Sequence, residues 1–515
     1  MDRDGVNALL TEAGADSRRL RHALMLLCDG QWWTLAELVR RSATSRRGVE
    51  ALLRVVELER RGETMRVPMA HTPDYQEFFA VAPPPADPVE HLVPHYAGVL
   101  ARLEELVAGA PRARAELDHV SATPETVLRR ALLLGARFWL PGARLLCVGD
   151  HDLTSLAVKL VHPEVEVSVV DIDDRVLGYL DDQGLGVRTH WADLRLGLPA
   201  SVREHDLALT DPPYTPEGVG LFVARAVEGL RDDGRVLLAY GASERTPMLA
   251  LKVQNSLSDL NLAYEAMYPD FNRYFGAEAI GSAADLYILR PTTKTRPAVA
   301  ARAERYATAI YTHGPQSIES ASAAPLPAGF DPADWDLLVG DWPKEIGLPR
   351  VQLATWLAKP YLGNQDRVAI AVPAGLEATL PRLILASHGS KVRAWLAAPP
   401  AELPAVLSPV LGPLFSLRAD GPAVEAVRLA RPAEETAAIV WRLLDKAHAK
   451  LVNTWREALI TAHRQRGAEL TKNQARALIT AAAPWADGLT ALEAPLDRLA
   501  ALPQAVRASL DLPPS

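Results

Sequence analysis

The sequence predicts an α/β protein organised around a Rossmann-like domain, and three observations support that fold. A short apolar run at residues 145–148 is followed by Gly149 and a helical pattern, which is typical of a buried parallel strand, a glycine turn and a helix. Further apolar runs alternate with helical patterns up to about residue 290. One of these runs, LALT, leads directly into the turn sequence DPPY at residues 211–214. Such alternation predicts a parallel sheet covered by helices.

Length and composition set limits on the class of protein. The 515 residues, of which 49% are hydrophobic, allow two or three domains with cores of their own. The formal net charge of -8 argues against nucleic-acid binding and is compatible with a polycationic substrate. Cys28 and Cys147 lie in apolar surroundings, which predicts buried thiols in a reducing compartment. We find no apolar run of membrane-spanning length and no signal-peptide pattern, and therefore expect a cytoplasmic protein without a membrane partner.

The N-terminal domain, predicted over residues 1–82, consists of short helices. An amphipathic helix comes first, Thr34 caps a second helix, and a third begins at Thr44 and continues through VELERRG. This spacing predicts a winged helix with Arg46 and Arg47 at the start of its recognition helix. DNA binding is one interpretation, and packing against the catalytic domain or a second subunit is the other. The acidic chain favours packing, because it offers little neutralisation of phosphates.

An acidic turn begins the Rossmann-like domain, which we predict over residues 83–295. Asp150 and Asp152 follow Gly149 at the point where a dinucleotide fold would hold a pyrophosphate. Two carboxylates would repel a phosphate and suit a cationic, phosphate-free nucleoside such as S-adenosylmethionine or its decarboxylated form. Thr154 and Ser155 are candidate helix caps. The alternative interpretation is a strand-helix turn in some other α/β protein.

Other polar residues fall at the ends of predicted elements in the same domain. Thr123 precedes Pro124 and is expected to begin the helix before the first strand. The second strand, VEVSVVDID, ends in Asp171 and Asp173, where an acid commonly accepts hydrogen bonds from ribose hydroxyls. Asp193 follows a short third strand, where such folds hold adenine. A solvated acid at a strand end is the alternative, and it fits Asp173 better than Asp171.

DPPY is the most specific signal in the chain. The Asp211 carboxylate and the Pro212 carbonyl can accept hydrogen bonds from an amine and orient its lone pair toward a carbon beside a sulfonium. The two prolines make the turn rigid, so little entropy is lost in forming this geometry. Because an amine must be neutral to attack, a nearby acid can take its proton. A turn that merely ends a strand is the alternative.

The rest of the chain is predicted to contain linkers and a third domain. A proline-rich segment from Ala80 is expected to be a linker, and so are residues 296–330. Residues 331–515 predict a small α/β unit followed by helices. In this domain the pattern over residues 434–466 predicts one long amphipathic helix. Its apolar stripe is expected to pack in the core or at a subunit interface.

The motifs taken together resemble the branched-chain polyamine synthases, the N4-bis(aminopropyl)spermidine synthases. The matching blocks, in this order, are ATPETVLRR, GDHDLTSLA, VVDID, ADLRLGLP, DPPYTPEG and AEAIGSAADLYIL. The resemblance covers about residues 15–295 and is strongest over 118–290. The resemblance implies a winged-helix-like domain before a Rossmann-like, methyltransferase-type domain. It also implies aminopropyl transfer from decarboxylated S-adenosylmethionine, a co-substrate, to an amine of a polyamine.

The resemblance also implies roles for individual residues. The family's Gly-Asp-x-Asp motif, tied to catalysis and substrate binding, matches Gly149, Asp150 and Asp152. Its Asp-Pro-Pro motif matches Asp211 and the prolines after it. We expect a homodimer that holds no metal and no prosthetic group.

Two residues depart from the family pattern and bear on the substrate. His151 replaces the middle acid of the first turn, where it either faces solvent or changes the acceptor pocket, and Tyr214 after the prolines is more typical of amino-methyltransferases. Besides the aminopropyltransferase, two functions therefore stay open: an N-methyltransferase that uses S-adenosylmethionine, and a winged-helix regulator whose Rossmann-like domain senses a ligand. An acidic turn without a basic residue favours a donor that has lost its carboxylate.

Overall fold

The computed structural model describes most of the chain in two compact units. The described residues are 3–14, 17–79, 87–242, 246–302, 310, 330–343, 345–396 and 403–512. The first unit comprises Met1–Glu166 and His205–Glu304, and the second comprises Val167–Glu204 and Arg305–Ser515. Residues 167–204, which we predicted within the Rossmann-like domain, thus group with the C-terminal third. Among the described residues no helix is long and apolar enough to cross a membrane.

The N-terminal part of the first unit is helical and ends in a hairpin. Its elements are α1 Arg3–Ala13, α2 Ser17–Leu27, α3 Leu35–Ser42, α4 Arg46–Val55, β1 Glu59–Arg61, β2 Thr64–Arg66 and α5 Thr72–Tyr75. Thr34 caps α3 as expected, within a capping box that includes Glu37. The third helix is shorter than predicted, because Ser45 rather than Thr44 caps it and β1 turns back onto β2 after Val55. The winged-helix assignment stays a prediction.

The start of α4 packs onto the segment that connects the last two strands of the first unit. Arg46 forms an ion pair with Glu278 at 2.6 Å. A Cβ on Gly281, whose φ is +79°, would lie 2.6 Å from the Ala43 carbonyl oxygen, so a side chain at this position would collide with the backbone before α4. Arg46, one of the two arginines predicted at the start of a recognition helix, is therefore paired within the chain.

Strands and helices alternate from residue 97 to residue 302. The elements are α6 Ala97–Gly109, α7 Pro124–Arg137, β3 Arg144–Val148, α8 Thr154–Val161, β4 Glu166–Asp171, α9 Asp174–Asp182, β5 Val187–Trp191, β6 His205–Thr210, α10 Pro216–Gly229, β7 Leu230–Tyr240, α11 Pro247–Asp259, β8 Leu262–Arg273, β9 Ala283–Pro291 and α12 Thr295–Arg302. Thr123 caps α7 as predicted, with Pro124 in the first helical position. The predicted linker 296–330 begins inside α12, and its residues 303–309 and 311–329 lie outside the described residues, as do residues 80–86 of the proline-rich segment.

The strands of the first unit are hydrogen-bonded in the order β3-β6-β7-β9-β8. The first three are parallel, whereas β9 is antiparallel to both of its neighbours. Val148 pairs with Thr210, and Thr210 pairs with Leu238. The residues after β3 and β6 therefore emerge side by side at the carboxyl edge, where open α/β sheets bind ligands. This architecture confirms the Rossmann-like prediction for this part of the chain.

The second unit contains the parallel pair β4-β5 and a six-stranded sheet of its own. The C-terminal elements are β10 Leu337–Val339, β11 Arg350–Val351, α13 Leu353–Ala358, β12 Arg367–Ala371, α14 Leu380–Leu385, β13 Lys391–Trp395, α15 Leu403–Leu411, β14 Phe415–Asp420, β15 Ala423–Arg428, α16 Glu435–Asp445, α17 Leu451–Gln465, α18 Lys472–Ala482, α19 Leu496–Ala500 and α20 Leu502–Asp511. The sheet order is β11-β10-β12-β13-β15-β14. The predicted α/β unit is present.

The single long helix that we predicted over residues 434–466 is wrong. The chain forms α16 and α17 instead, because Lys450 leaves the helical path to make a bridge with Thr490. The predicted apolar stripe is nevertheless buried along both helices and belongs to the core, as Leu444 and Trp455 illustrate.

Candidate active site

The acidic turn after β3 is shaped by Gly149 and by Asp150. Gly149 has φ +73°, and a Cβ there would lie 3.4 Å from the Phe222 ring. The Asp150 carboxylate accepts a hydrogen bond from the Ser155 N–H at 3.2 Å. Our prediction of Thr154 and Ser155 as caps is wrong, because Leu153 occupies the cap position without a side-chain hydrogen bond and Asp150 binds the first turn of α8 instead. An acid at this place also complements the helix dipole.

Asp152, the second acid of the turn, is tied to two groups on other segments. Its Oδ1 accepts the Ala122 N–H at 2.7 Å, and its Oδ2 accepts Arg130 Nη1 at 2.9 Å. The side chain is 8% exposed. Asp152 therefore links the first turn to the segment that begins α7.

Arg130, on α7, is the centre of the network and is fully buried. Its Nη2 donates to Asp211 Oδ2 at 2.6 Å, so one guanidinium joins both predicted catalytic acids. Nε donates to Asn272 Oδ1 at 2.8 Å. Nη1 also donates to Thr154 Oγ1, and Nη2 to Tyr274 Oη. The five N–H donors of this guanidinium are thus used inside the protein.

Asp211 lies at the carboxyl end of β6, where the sequence predicts it. Besides Arg130 it accepts hydrogen bonds from Tyr274 Oη at 2.7 Å and from Tyr214 Oη at 2.9 Å. Its side chain is 16% exposed. Burial raises the pKa of Asp211 to about 7, against the lowering effect of Arg130 and with a further increase from Asp152. Such a carboxylate can gain or lose a proton near neutral pH.

The loop after Asp211 is rigid for local reasons. Pro212 and Pro213 are buried, and the Pro213 carbonyl accepts the Thr215 N–H at 2.8 Å. Thr215 caps α10, with Pro216 in the first helical position. The turn needs Gly218, because a Cβ there would lie 2.7 Å from the Pro213 oxygen. Tyr214 is therefore held over Asp211 by the backbone as well as by its own hydroxyl.

His151 lines a cavity of about 230 Å³. Its Nε2 is hydrogen-bonded to Ser121 Oγ at 3.1 Å. Its ring stacks on His119 with 4.3 Å between centroids. The cavity is lined by residues of the α6 end, the following loop and the acidic turn, including Asp152. His151 thus borders a space beside the site.

The remaining predicted nucleoside ligands lie in the second unit, each near the end of its strand. Asp171 accepts the Asp173 N–H at 2.8 Å. Asp173 caps α9 and pairs with Arg175 at 2.5 Å. Asp193 pairs at 2.5 Å with Arg195, and both are buried. Their predicted roles toward ribose and adenine stay predictions.

Sequence reasoning missed three residues of the network: Arg130, Asn272 and Tyr274. The sequence does contain a signal for Arg130. This arginine lies on the same face of α7 as Val127 and Leu134, and that face is buried. An arginine on an apolar helix face requires buried acids as partners. Asn272 and Tyr274 gave no comparable signal. Of the described residues, no group of three or more His, Cys, Asp or Glu side chains is arranged to hold a metal ion.

Comparison with known proteins finds a family model that matches the residues of this site. Residues 98–304 match the model of the branched-chain polyamine synthase A C-terminal domain. An uncharacterised protein of Methanocaldococcus jannaschii is 38% identical over 171 residues, which are 32% of this chain and 43% of that protein. The N(4)-bis(aminopropyl)spermidine synthase of the same organism is 31% identical over 189 residues, 35% of this chain and 54% of the relative.

Another curated relative and a crystal structure are also similar to this chain. The N(4)-bis(aminopropyl)spermidine synthase of Thermus thermophilus is 36% identical over 129 residues, which are 24% of this chain and 38% of the relative. The chain spans about half the length, or less, of the curated relatives that it matches. A crystal structure of the branched-chain polyamine synthase of Thermus thermophilus with N4-aminopropylspermidine and 5'-methylthioadenosine is 22% identical, with a TM-score of 0.41 over 56% of this chain and 93% of that one.

Proposed function

Because residues 98–304 match the model of the branched-chain polyamine synthase A C-terminal domain, we propose that this protein is an aminopropyltransferase that acts on a polyamine. The donor would be decarboxylated S-adenosylmethionine and the acceptor an amine of a linear polyamine. The observation that carries the proposal is Asp211, a largely buried carboxylate with a pKa of about 7 beside a rigid Pro-Pro turn.

The chemistry follows from that environment. The acceptor nitrogen, protonated in water, gives a proton to Asp211 and becomes nucleophilic. The nitrogen attacks the methylene carbon next to the sulfonium. A C–N bond forms as the C–S bond breaks, and the electron pair of the C–S bond stays on sulfur, which leaves as 5'-methylthioadenosine. Tyr214, Tyr274 and Arg130 occupy three acceptor positions of the carboxylate, which leaves one for the nitrogen.

Arg130 favours a donor without a carboxylate. A methyl donor brings an α-carboxylate that needs cationic or N–H partners, and Arg130 is the basic residue nearest the two acids. Its five N–H donors already bind Asp152, Thr154, Asp211, Asn272 and Tyr274. The negative charge of Asp152 would also repel the α-carboxylate of a methyl donor. An aminopropyl donor carries an ammonium instead, which the acids attract.

Two other properties belong to this proposal. The free thiols Cys28 and Cys147 are buried, which fits a reducing cytoplasm. We expect a homodimer as the working form. The ion pair of Arg46 with Glu278 supports a packing role for the N-terminal helices rather than a role in DNA binding.

The test is product analysis by mass spectrometry. Purified protein is incubated with either donor and a panel of diamines, triamines and tetramines, and Asp211→Asn serves as the matched variant that lacks the base. We expect aminopropylated polyamines and 5'-methylthioadenosine from the decarboxylated donor, and a rate lower by at least about a hundredfold in the variant. Methylated products from S-adenosylmethionine would establish the methyltransferase instead, and binding without turnover of either donor would favour the regulator.

A further inference from the structure

Four tyrosines form a continuous row that starts at Asp211. Tyr214, whose hydroxyl binds Asp211, meets Tyr240 edge to face with 5.4 Å between ring centroids. Tyr240 meets Tyr287 at 6.3 Å, and Tyr287 meets Tyr264 at 6.0 Å. The row leads from the buried carboxylate to Tyr264, which is 38% exposed. It therefore runs from the reacting centre toward solvent.

One hydroxyl in this row has an unused hydrogen-bonding capacity. Tyr240 is 1% exposed, and among the residues that the structure describes its Oη has no hydrogen-bond partner. Buried polar groups are nearly always paired, so an unpaired one indicates a ligand or ordered water that would complete it. Tyr240 ends β7, the strand next to the one that carries Asp211 at its end. Tyr240 therefore lies at the carboxyl edge of the sheet, where open α/β sheets bind ligands.

A second carboxylate lies on the strand next to Tyr240. Asp285 on β9 is the direct cross-strand partner of Tyr240. Its Oδ2 lies 3.5 Å from Tyr287 Oη, and its Oδ1 accepts the Asp270 N–H at 2.9 Å. Arg19, the nearby cation, is paired with Asp270 at 3.1 Å. Asp285 therefore keeps acceptor capacity on the side of the tyrosines.

We propose that Tyr214, Tyr240, Tyr287 and Asp285, the tyrosine box, bind the terminal ammonium of the acceptor's arm while Asp211 holds its reacting nitrogen. This inference rests on the proposed function. Aromatic faces and a carboxylate attract an alkylammonium, and the Tyr240 oxygen accepts one of its N–H groups. A neutral arm would lack the charge attraction of Asp285.

The spacing of the strands supports an arm of defined length. Asp211 follows β6 and Asp285 lies on β9, with β7 between them, so the two carboxylates are carried by strands about 10 Å apart. An N–H···O contact takes up about 3 Å at each end. The remaining separation, about 4 Å, is spanned by a short alkyl chain such as a folded propyl arm of a linear polyamine. The tyrosine box would thus select acceptors by the distance between two of their nitrogens.

The test compares two acceptors and three variants under steady-state conditions. The acceptors are spermidine and its analogue in which one terminal ammonium is replaced by a methyl group. The variants are Asp285→Asn, Tyr240→Phe, and Tyr268→Phe as a control outside the box. We expect Asp285→Asn to raise the KM for spermidine about tenfold or more with kcat changed less than about threefold, and to leave the KM for the analogue nearly unchanged.

Each outcome decides the inference. Tyr240→Phe keeps the ring and is expected to raise the KM for spermidine by a smaller factor, while Tyr268→Phe changes neither acceptor. A KM for spermidine that stays at the wild-type value in both box variants, or that rises equally for the analogue, would refute the box while leaving the wild-type activity intact. If wild-type protein transfers nothing, the proposed function fails, and calorimetric titration of spermidine into wild type and Asp285→Asn then tests the box by itself.

Discussion

Replacing Arg130 with methionine tests whether one buried cation holds the candidate active site together. The side chain is fully buried and forms ion pairs at 2.9 Å with Asp152 and at 2.6 Å with Asp211. Methionine replaces the aliphatic part of the arginine side chain and carries no charge, so the change leaves two acids near each other without compensation. Removing one partner of a buried ion pair costs about 3–5 kcal/mol, and we expect the free energy of unfolding at pH 8 to fall by this amount.

The loss of stability in Arg130→Met is expected to depend on pH, and the surroundings of Asp211 determine the direction of that dependence. Burial and Asp152 raise the pKa of Asp211 and Arg130 lowers it, and the net result is a pKa of about 7 against the ordinary value of 3.8. Without Arg130 the pKa rises further above its unfolded value. Stability from such a raised pKa is fully present below the unfolded value and is lost as pH rises through the folded value. The variant is therefore least stable relative to wild type above pH 7, and the difference shrinks toward pH 5.

The assay is urea unfolding followed by circular dichroism from pH 5 to pH 9. Arg130→Lys is the matched control, because it keeps the charge but has three donors in place of five, and we expect it to lose about half as much or less. The Lys variant also supplies the measurement if the Met variant does not fold. Equal stability of Arg130→Met and wild type at pH 8, or a loss that is the same at every pH, would refute the assignment of Arg130 as the counter-ion of both acids.

Three further predictions concern function. The rate of aminopropyl transfer should rise as pH increases through about 7, because Asp211 must be ionised to accept a proton, and a flat pH-rate profile would exclude it as the base. Asp152→Ala should greatly reduce turnover because it releases Arg130, whereas His151→Asp should stay active or improve with longer polyamines; kinetics with acceptors of increasing length would reveal the reverse pattern. A gel-shift assay at physiological salt should show no tight, sequence-specific duplex binding, since Arg46 is paired with Glu278, and a specific complex would contradict the packing role.

The parts of the site that the sequence predicts are those that depend on local order along a parallel sheet. A strand followed by Gly149 and a strand followed by Asp211 must end at the same edge once the strands run in parallel. The register of Val148 with Thr210 confirms this inference. Thr123 was also predictable, because a helix cap depends only on residues that are close in the sequence.

The parts that the sequence could not predict depend on contacts between distant segments. Arg130 and Asn272 are separated by 142 residues and meet at 2.8 Å. Nothing in the local pattern around Asn272 indicates that partner. The break between α16 and α17 has the same origin, since Lys450 bridges to Thr490 on a segment that follows much later. In both cases tertiary pairing overrides what the local periodicity favours.

The proton balance of Asp211 explains why an arginine lies in the proposed polyamine site. If burial and Asp152 acted alone, Asp211 would hold its proton at neutral pH and could not receive one from the acceptor. If Arg130 acted without Asp152, the carboxylate would be too acidic to take a proton from an ammonium. The two opposing neighbours bring the pKa to about 7, where the base can accept a proton during transfer and release it to water afterwards. Arg130 and Asp152 therefore act as one positioning pair, and a double variant, Arg130→Met with Asp152→Asn, should restore part of the stability that Arg130→Met alone removes, because it leaves one buried acid rather than two.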